Sequence, residues 1–202
     1  MNNSKSVYFD GIAEAWDGWD DLEALARKFA AGLEAFGVAS DETILDVGCG
    51  TGNLTKALLE RLGPRGRLVA VDISPRMVEV AKTKVLDDRV SWHIADACCL
   101  PLSDATFDRV MCYSVWPHFD DAAASAAELA RVLRPSGSLH VWHLISRARV
   151  NEIHASAGPA VQRDVLAPAE QIASVLSTAG FEITEAVDCN THYLVSACKR
   201  GT

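Results

Sequence analysis

The segment Ile44-Leu45-Asp46-Val47-Gly48-Cys49-Gly50-Thr51-Gly52-Asn53 constrains this chain more than any other. The aliphatic, β-branched run from Thr43 to Val47 reads as a buried strand, and three alternating glycines follow it at once. A helical pattern then runs from about Leu54 to Leu62 and stops at Gly63-Pro64. Strand, glycine turn and helix in that order open a parallel α/β sheet. Glycine in such a turn permits positive φ and lets a ligand approach the backbone, while the helix start behind it favours an electronegative group.

The alternation continues downstream. Leu68 to Val71 is a second strand, and Ser74 caps a helix that begins at Pro75 and runs to about Leu86. Val90 to Ala95, Phe107 to Val115 and Ser138 to Leu144 read as strands three to five. Between the last two lies an Ala-rich helix, Asp121 to Leu133, closed by Pro135-Ser136-Gly137. Arg147 to Ser156 and Pro168 to Thr178 are further helices. Phe181 to Val187 and His192 to Cys198 are then two strands joined by Asp188-Cys189-Asn190, a connection short enough only for a hairpin. Upstream, Tyr8 to Asp17 is a short amphipathic piece, and Asp20 or Asp21 caps a helix reaching about Phe36. The expectation is an α/β fold with a seven-stranded, mostly parallel sheet, an antiparallel C-terminal strand and helices on both faces.

Composition narrows the partners. With 202 residues, 49% hydrophobic and 23% charged, the chain is globular and short enough for one core. Its 19 basic and 27 acidic residues leave a net charge of −8, a poor counterion for a phosphate backbone or anionic lipid. No apolar run approaches the roughly 20 residues that span a bilayer, so no stable membrane insertion is expected. Met1 to Asp21 lacks the basic-then-apolar order of a signal peptide. Six cysteines form no CxxC pair, and three lie in apolar strand-like runs, which reads as buried free thiols in a reducing cytoplasm.

Acids placed at strand ends identify the ligand class. Asp72 closes the second strand, 24 residues after Gly48, where a carboxylate can accept from both hydroxyls of a ribose. Asp96 closes the third. The dinucleotide pattern G-x-G-x-x-G does not fit, because Gly52 comes one residue early. Asp46 near the loop would oppose a pyrophosphate, but it could accept from an ammonium group or hold the glycine turn. A cationic or zwitterionic nucleoside fits better than a dinucleotide, which disfavours a nicotinamide-dependent oxidoreductase.

With these residues in view, the chain resembles the class I S-adenosylmethionine-dependent methyltransferases, in the branch that includes the ubiquinone/menaquinone biosynthesis enzymes. The resemblance is carried by Leu45 to Gly52, Val71-Asp72-Ile73-Ser74 with Met77, Ala95-Asp96-Ala97, Leu100-Pro101-Leu102, Phe107-Asp108 and Leu129 to Gly137. Tyr8-Phe9-Asp10 and Ala13 to Asp17 look like the family's leading segment. The resemblance implies a Rossmann-like fold, S-adenosyl-L-methionine as cofactor and S-adenosyl-L-homocysteine as product. Gly48, Cys49, Gly50 and Gly52 would border the methionine portion, with Asp46 organising the loop. Asp72 would hold the ribose, Ile73 and Met77 the adenosine, Asp96 the adenine amino group and Ala97 a ring nitrogen. Tyr113 or Ser114 would border the methyl group, and Phe9 and Trp16 would close the cofactor from the N-terminal side. It also implies one methyltransferase domain, 1–202, with an N-terminal helical cap (1–40), a cofactor-binding core (41–145), acceptor-side helices (146–180) and a C-terminal hairpin (181–202).

Methyl transfer is an in-line displacement on an already strong electrophile, so positioning and water exclusion can carry it. A base is needed only where the acceptor must lose a proton. His118, in Trp116-Pro117-His118-Phe119 after the fourth strand, and His143, ending the fifth, are the candidate catalytic residues. His140 and Trp142 read as core. Arg147, Asn151 and His154 share one helix face, so Asn151 and His154 are candidate substrate contacts, with a solvated polar face as the plain alternative. His118, His143 and His154 could converge with Asp164 or a cysteine, but no close ligand pair supports a metal, and none is expected. Cys98-Cys99 reads as two apolar spacers in a buried loop. The acceptor is expected to be a small molecule rather than a nucleic acid. The alternative is a non-catalytic S-adenosylmethionine-binding sensor or regulatory subunit.

Overall fold

The computed structural model describes residues 4–201. The outermost positions of the expected cap and hairpin segments, residues 1–3 and 202, lie outside that range. Seven strands form one sheet in the order β3-β2-β1-β4-β5-β7-β6. The chain divides into two compact units, one through Ala95 and one from Asp96 onward. Among the described residues no helix is long and apolar enough to cross a membrane.

In the first unit, α1 (Ser4–Ile12), a 3₁₀ turn (Trp16–Trp19) and α2 (Leu22–Ala35) precede the strands. Asp21 caps α2 by accepting from the amides of Glu23 and Ala24. Strands β1 (Thr43–Val47), β2 (Arg67–Asp72) and β3 (Val90–Ile94) pair in parallel. Helices α3 (Asn53–Arg61) and α4 (Pro75–Lys84) are the crossovers that parallel pairing demands. Ser74 Oγ accepts from the Met77 amide at 3.0 Å, and Pro75 occupies the first turn of α4, where its missing N–H costs nothing. Helix α4 ends at Lys84, short of the expected Leu86, which is 89% exposed. Phe29, Leu33, Ile44, Leu45, Leu58, Leu68 and Met77 form the buried centre of this unit. Trp92, within β3, is partly buried against Cys49, Ala70 and Val78.

The second unit contains β4 (Phe107–Tyr113), a 3₁₀ turn (Trp116–His118), α5 (Ala122–Val132), β5 (Leu133–His143), α6 (Arg147–Ala155), α7 (Ala169–Thr178), β6 (Phe181–Asp188) and β7 (Tyr193–Lys199). Strands β4 and β5 are parallel, and β7 runs antiparallel to both β5 and β6. The expected break at Pro135-Ser136-Gly137 is instead part of β5, which starts at Leu133 directly after α5. Leu133 pairs with Phe107 and Ser138 with Arg109, so the intervening residues bulge, with Ser136 at φ +63°. A bulge absorbs extra residues and tolerates a proline that cannot donate. Strand β4 ends at Tyr113, two residues before the expected Val115, because Ser114 turns the chain at φ +52°. His140 and Trp142 are core residues, as expected. Arg109 donates to His140 Nε2 at 2.6 Å, leaving Nδ1 to donate to Ser196 Oγ at 3.0 Å. None of the six cysteines is in a disulfide, and only Cys49 and Cys112 are buried. Cys98 and Cys99 are exposed, which corrects their reading as buried spacers: the turn after β3 holds them outward.

Candidate functional site

The glycine loop of the first unit is held by its own backbone. The amides of Gly48 and Cys49 both donate to the Val71 carbonyl, at 2.8 and 3.0 Å, so the loop is fastened to the end of β2. Gly50 N donates to Asp72 Oδ2 at 2.8 Å, and Ser74 N donates to Oδ1 at 2.9 Å. Gly48, Gly50 and Gly52 all have positive φ, at 69°, 53° and 83°, where any other residue would be strained. They differ in surroundings. A Cβ on Gly52 would stand 3.1 Å from Ala81 Cβ, so this glycine serves the packing of the loop on α4. A Cβ on Gly50 would meet nothing within 4 Å, so open space lies against the loop there.

Two buried carboxylates support the loop from beneath and behind. Asp46 is 1% exposed and accepts from Thr55 Oγ1 at 2.6 Å, which ties β1 to α3 across the turn. Burial pushes its carboxyl up to about 7, with the nearby Asp72 charge adding to the shift and the Thr55 bond opposing it. Burial likewise raises the thiol of Cys49, which is flanked by Asp72 and Asp46. Asp72 directs each of its oxygens to one backbone amide. A carboxylate offers about four acceptor positions, so one such group can serve several donors at once.

The N-terminal segment is latched onto this loop. Ser6 Oγ donates to the Ile73 carbonyl, and Asp10 accepts from Ser74 Oγ at 2.5 Å and from Arg76 N at 3.0 Å. Asp17 accepts from Thr51 Oγ1 at 2.6 Å and Asn53 Nδ2 at 2.9 Å, and pairs with Lys84. Burial pushes the Asp17 carboxyl up, but the bonds from Lys84, Thr51 and Asn53 together outweigh it and hold the group below its ordinary value. Phe9 contacts Trp16 edge-on at 6.2 Å. The aromatics of this leading segment point to closing residues, yet its polar anchors are Asp10 and Asp17, which the sequence reading misses. The signal for them is present in the same segment, in acids one residue beyond Phe9 and Trp16. Ile73 and Met77 flank the Ser74 cap, Met77 at 2% exposure.

In the second unit, Asp96 turns the chain after β3 by accepting from the Cys98 amide at 3.1 Å, and Ala97 is buried. Tyr113 packs edge-on against Trp142 at 5.5 Å, and Ser114 N donates to the Trp142 carbonyl. Arg131 fastens the 100–104 loop, donating to the Leu100 and Leu102 carbonyls and pairing with Glu128 and Asp104.

The same unit gathers the candidate histidines. His118 Nδ1 lies 2.7 Å from Asp164 Oδ2, and the rings of His118 and His154 are 4.8 Å apart. His154 Nδ1 lies 2.7 Å from the Asp164 carbonyl oxygen. His143 is 1% exposed, and its Nε2 has no hydrogen-bond partner among the described residues. Burial, then the neighbouring His118 and His154, push it down to about 3, so it stays neutral. Tyr193 stands perpendicular to His143 at 5.7 Å and donates to the Ala167 carbonyl. Asn151 clamps Leu166, donating to its carbonyl at 3.1 Å and accepting from its amide at 2.7 Å. Arg147 pairs with Asp188. Among the described residues, no group of three or more His, Cys, Asp or Glu is arranged to hold a metal ion. Asp164 instead joins two imidazoles, a role that lies 46 residues from His118 and carries no signal in spacing.

Residues 44–137 match the family model described as a methyltransferase domain. That stretch of the chain is a methyltransferase domain. The chain is 34% identical over 160 residues to methyltransferase GfsG of Streptomyces halstedii, covering 74% of this chain and 56% of that one. It is 32% identical over 142 residues to the ubiquinone/menaquinone biosynthesis C-methyltransferase UbiE of Hahella chejuensis, covering 66% and 56%. The chain thus spans just over half the length of these curated methyltransferases. Its fold superposes, at a TM-score of 0.81 and 21% identity, on a chain from the complex of the Haloferax volcanii Trm112 methyltransferase activator with its methyltransferase, covering 96% and 97%. The glycine loop, Asp46 and Asp72 all lie within the stretch that the methyltransferase model matches.

Proposed function

We propose that this chain binds S-adenosyl-L-methionine at the glycine loop and catalyses transfer of its methyl group to a small-molecule acceptor. The observation that carries the reading is the pairing of an open face at Gly50 with the Asp72 carboxylate bonded to that residue's amide. The loop is shaped by its own backbone bonds, so ligand binding carries little ordering cost. Asp72 holds the ribose hydroxyls, Ile73 and Met77 pack along the adenosine, and Gly48 to Gly52 border the amino-acid portion. When bound, the cofactor supplies an electrophilic methyl group, and the chain's task is to orient it and exclude water. Asp10 and Asp17, which fasten the N-terminal segment to the loop, serve that exclusion.

The net charge of −8 supports a small acceptor over nucleic acid, and six cysteines outside any disulfide support action in a reducing cytoplasm. The test is titration calorimetry with S-adenosylmethionine and with NADH, followed by a search for turnover to S-adenosylhomocysteine. Saturable binding of the first and none of the second is expected. Preferential binding of NADH would overturn the reading. Binding of S-adenosylmethionine with no turnover by any acceptor would instead identify a non-catalytic sensor.

A further inference from the structure

The turn that opens the second unit carries two thiols on consecutive residues. Cys98 and Cys99 are both exposed, whereas Ala97 and Leu100 on either side of them are buried, so the turn is anchored at both ends and its cysteines face water. Bonds within the unit fix its backbone. Cys98 N donates to Asp96 Oδ1 at 3.1 Å, and Cys99 N donates to the Asp96 carbonyl at 3.0 Å. Leu100 N donates to Glu128 Oε1 at 2.7 Å, and the Leu100 carbonyl accepts from Arg131 at 3.2 Å. A pair held on so firm a turn loses little freedom when it takes a ligand. The Cys98 thiol also bonds to the Asp96 carboxylate. That bond, ahead of burial and the Asp96 charge, pushes the thiol above its ordinary value and keeps it protonated.

Adjacency decides what the two thiols can do together. The peptide between them is trans, so their Cα atoms stand about 3.8 Å apart. A disulfide ordinarily spans roughly 4.4–6.8 Å between Cα atoms, so closing these two into one is strained and favours the reduced pair. A larger atom placed between the sulfurs relieves that strain. Soft sulfur ligands select soft, thiophilic centres. Among the described residues no group of three or more His, Cys, Asp or Glu is arranged to hold a metal ion, so a four-coordinate ion such as zinc lacks its ligands here. A centre that needs only two thiols and brings its own third substituent does not.

We propose that Cys98 and Cys99 together chelate a trivalent arsenical, an arsenic atom carrying one organic group and two exchangeable hydroxyls. Both S–H bonds break, and each proton goes to an arsenic-bound hydroxyl. Two arsenic–sulfur bonds form, two arsenic–oxygen bonds break, and two waters leave. Arsenic and sulfur keep their oxidation states, so no oxidant or reductant is consumed. Asp96, bonded to the Cys98 thiol, is placed to pass that proton on. The second sulfur binds intramolecularly, which strengthens capture about 10²–10⁴-fold over a single thiol. Cys189 and Cys198, with no cysteine beside them in the chain, lack that gain. The site uses no residue of the glycine loop and stands apart from the methyltransferase reading.

In the experiment the reduced full chain, freed of reductant, is titrated with phenylarsine oxide and read by intact-protein mass spectrometry and a count of free thiols. The wild type should bind one equivalent and lose two thiols from the count. C98S and C99S should each weaken capture by at least about a hundredfold, and C189S should match the wild type. A small dithiol such as 2,3-dimercaptopropanol should strip the arsenical where a large excess of a monothiol does not. Alkylation of the arsenical-bound wild type, followed by peptide mapping, should find Cys98 and Cys99 protected and Cys189 labelled. No binding by the wild type, wild-type affinity in C98S or C99S, or protection of Cys189 in place of the pair would each overturn the proposal. Arsenite, which gains from a third thiol, should bind more weakly than phenylarsine oxide. The reverse order would require a third protein ligand and would overturn the two-thiol site.

Discussion

The glycine loop and the histidine cluster are built on opposite plans. The loop is local: residues 46–55 and 71–74 supply the bonds that shape it, and most of the donors are backbone amides. The cluster is dispersed over a 3₁₀ turn, the end of β5, α6 and the α6–α7 connection, and its bonds run through side chains. Their buried groups are displaced in opposite directions too. Burial raises a carboxyl, Asp46, to about 7 and lowers an imidazole, His143, to about 3. In each case the fold favours the neutral form, because charge is costly out of water. One region is therefore weakened by alkali and the other by acid.

That contrast gives the largest expected effect. Asp46 holds its proton more tightly folded than unfolded, relative to an ordinary value of 3.8. Its stabilisation is complete below about pH 4 and is lost as the pH rises through 7. His143 runs the other way: its preference for the neutral ring stabilises fully above 6.5 and is lost as the pH falls toward 3. Each pKa unit is worth about 1.4 kcal/mol. In thermal unfolding across pH, Asp46→Asn should gain on the wild type from about pH 4 to 7, and His143→Gln should gain from about pH 6.5 down to 3. Parallel curves for either variant would remove the buried charge from the account.

Next in size is the division of labour. Asp72→Ala should weaken S-adenosylmethionine at least tenfold, or about 1.4 kcal/mol, in calorimetry. It removes the carboxylate from the Gly50 and Ser74 amides as well as from the ribose. Unchanged affinity would deny that role. A smaller effect separates structure from surface within α6. Asn151→Ala loses two bonds to Leu166 and should cost about 1–2 kcal/mol of unfolding free energy. Arg149→Ala, two residues away, breaks only an exposed pair with Glu152 and should leave Tm unchanged. A comparable loss in both would mean that α6 tolerates neither, and that Asn151 is no special clamp.

The same contrast explains what is legible in the sequence. β1 and the caps of α2, α4 and α5 can be read there because period and cap chemistry act within a few residues. The bulge after α5 cannot, since Pro135-Ser136-Gly137 has the composition of a turn and only pairing with β4 draws it into a strand. Cys98 and Cys99 mislead for a similar reason: apolar character suggests burial, but the turn set by Asp96 leaves them outside.

By itself the sequence determined the alternating sheet, the glycine turn and the acid that ends β2, because each rests on backbone sterics and hydrogen bonds of short reach. Only the tertiary structure decided that Asp164 would join His118 to His154, that His143 Nε2 would be buried without a partner among the described residues, and that Asn151 would hold a neighbouring segment. Those contacts link residues far apart in the chain. Their existence depends on how helices and strands pack, and no local pattern encodes the distance between two side chains that meet only after folding.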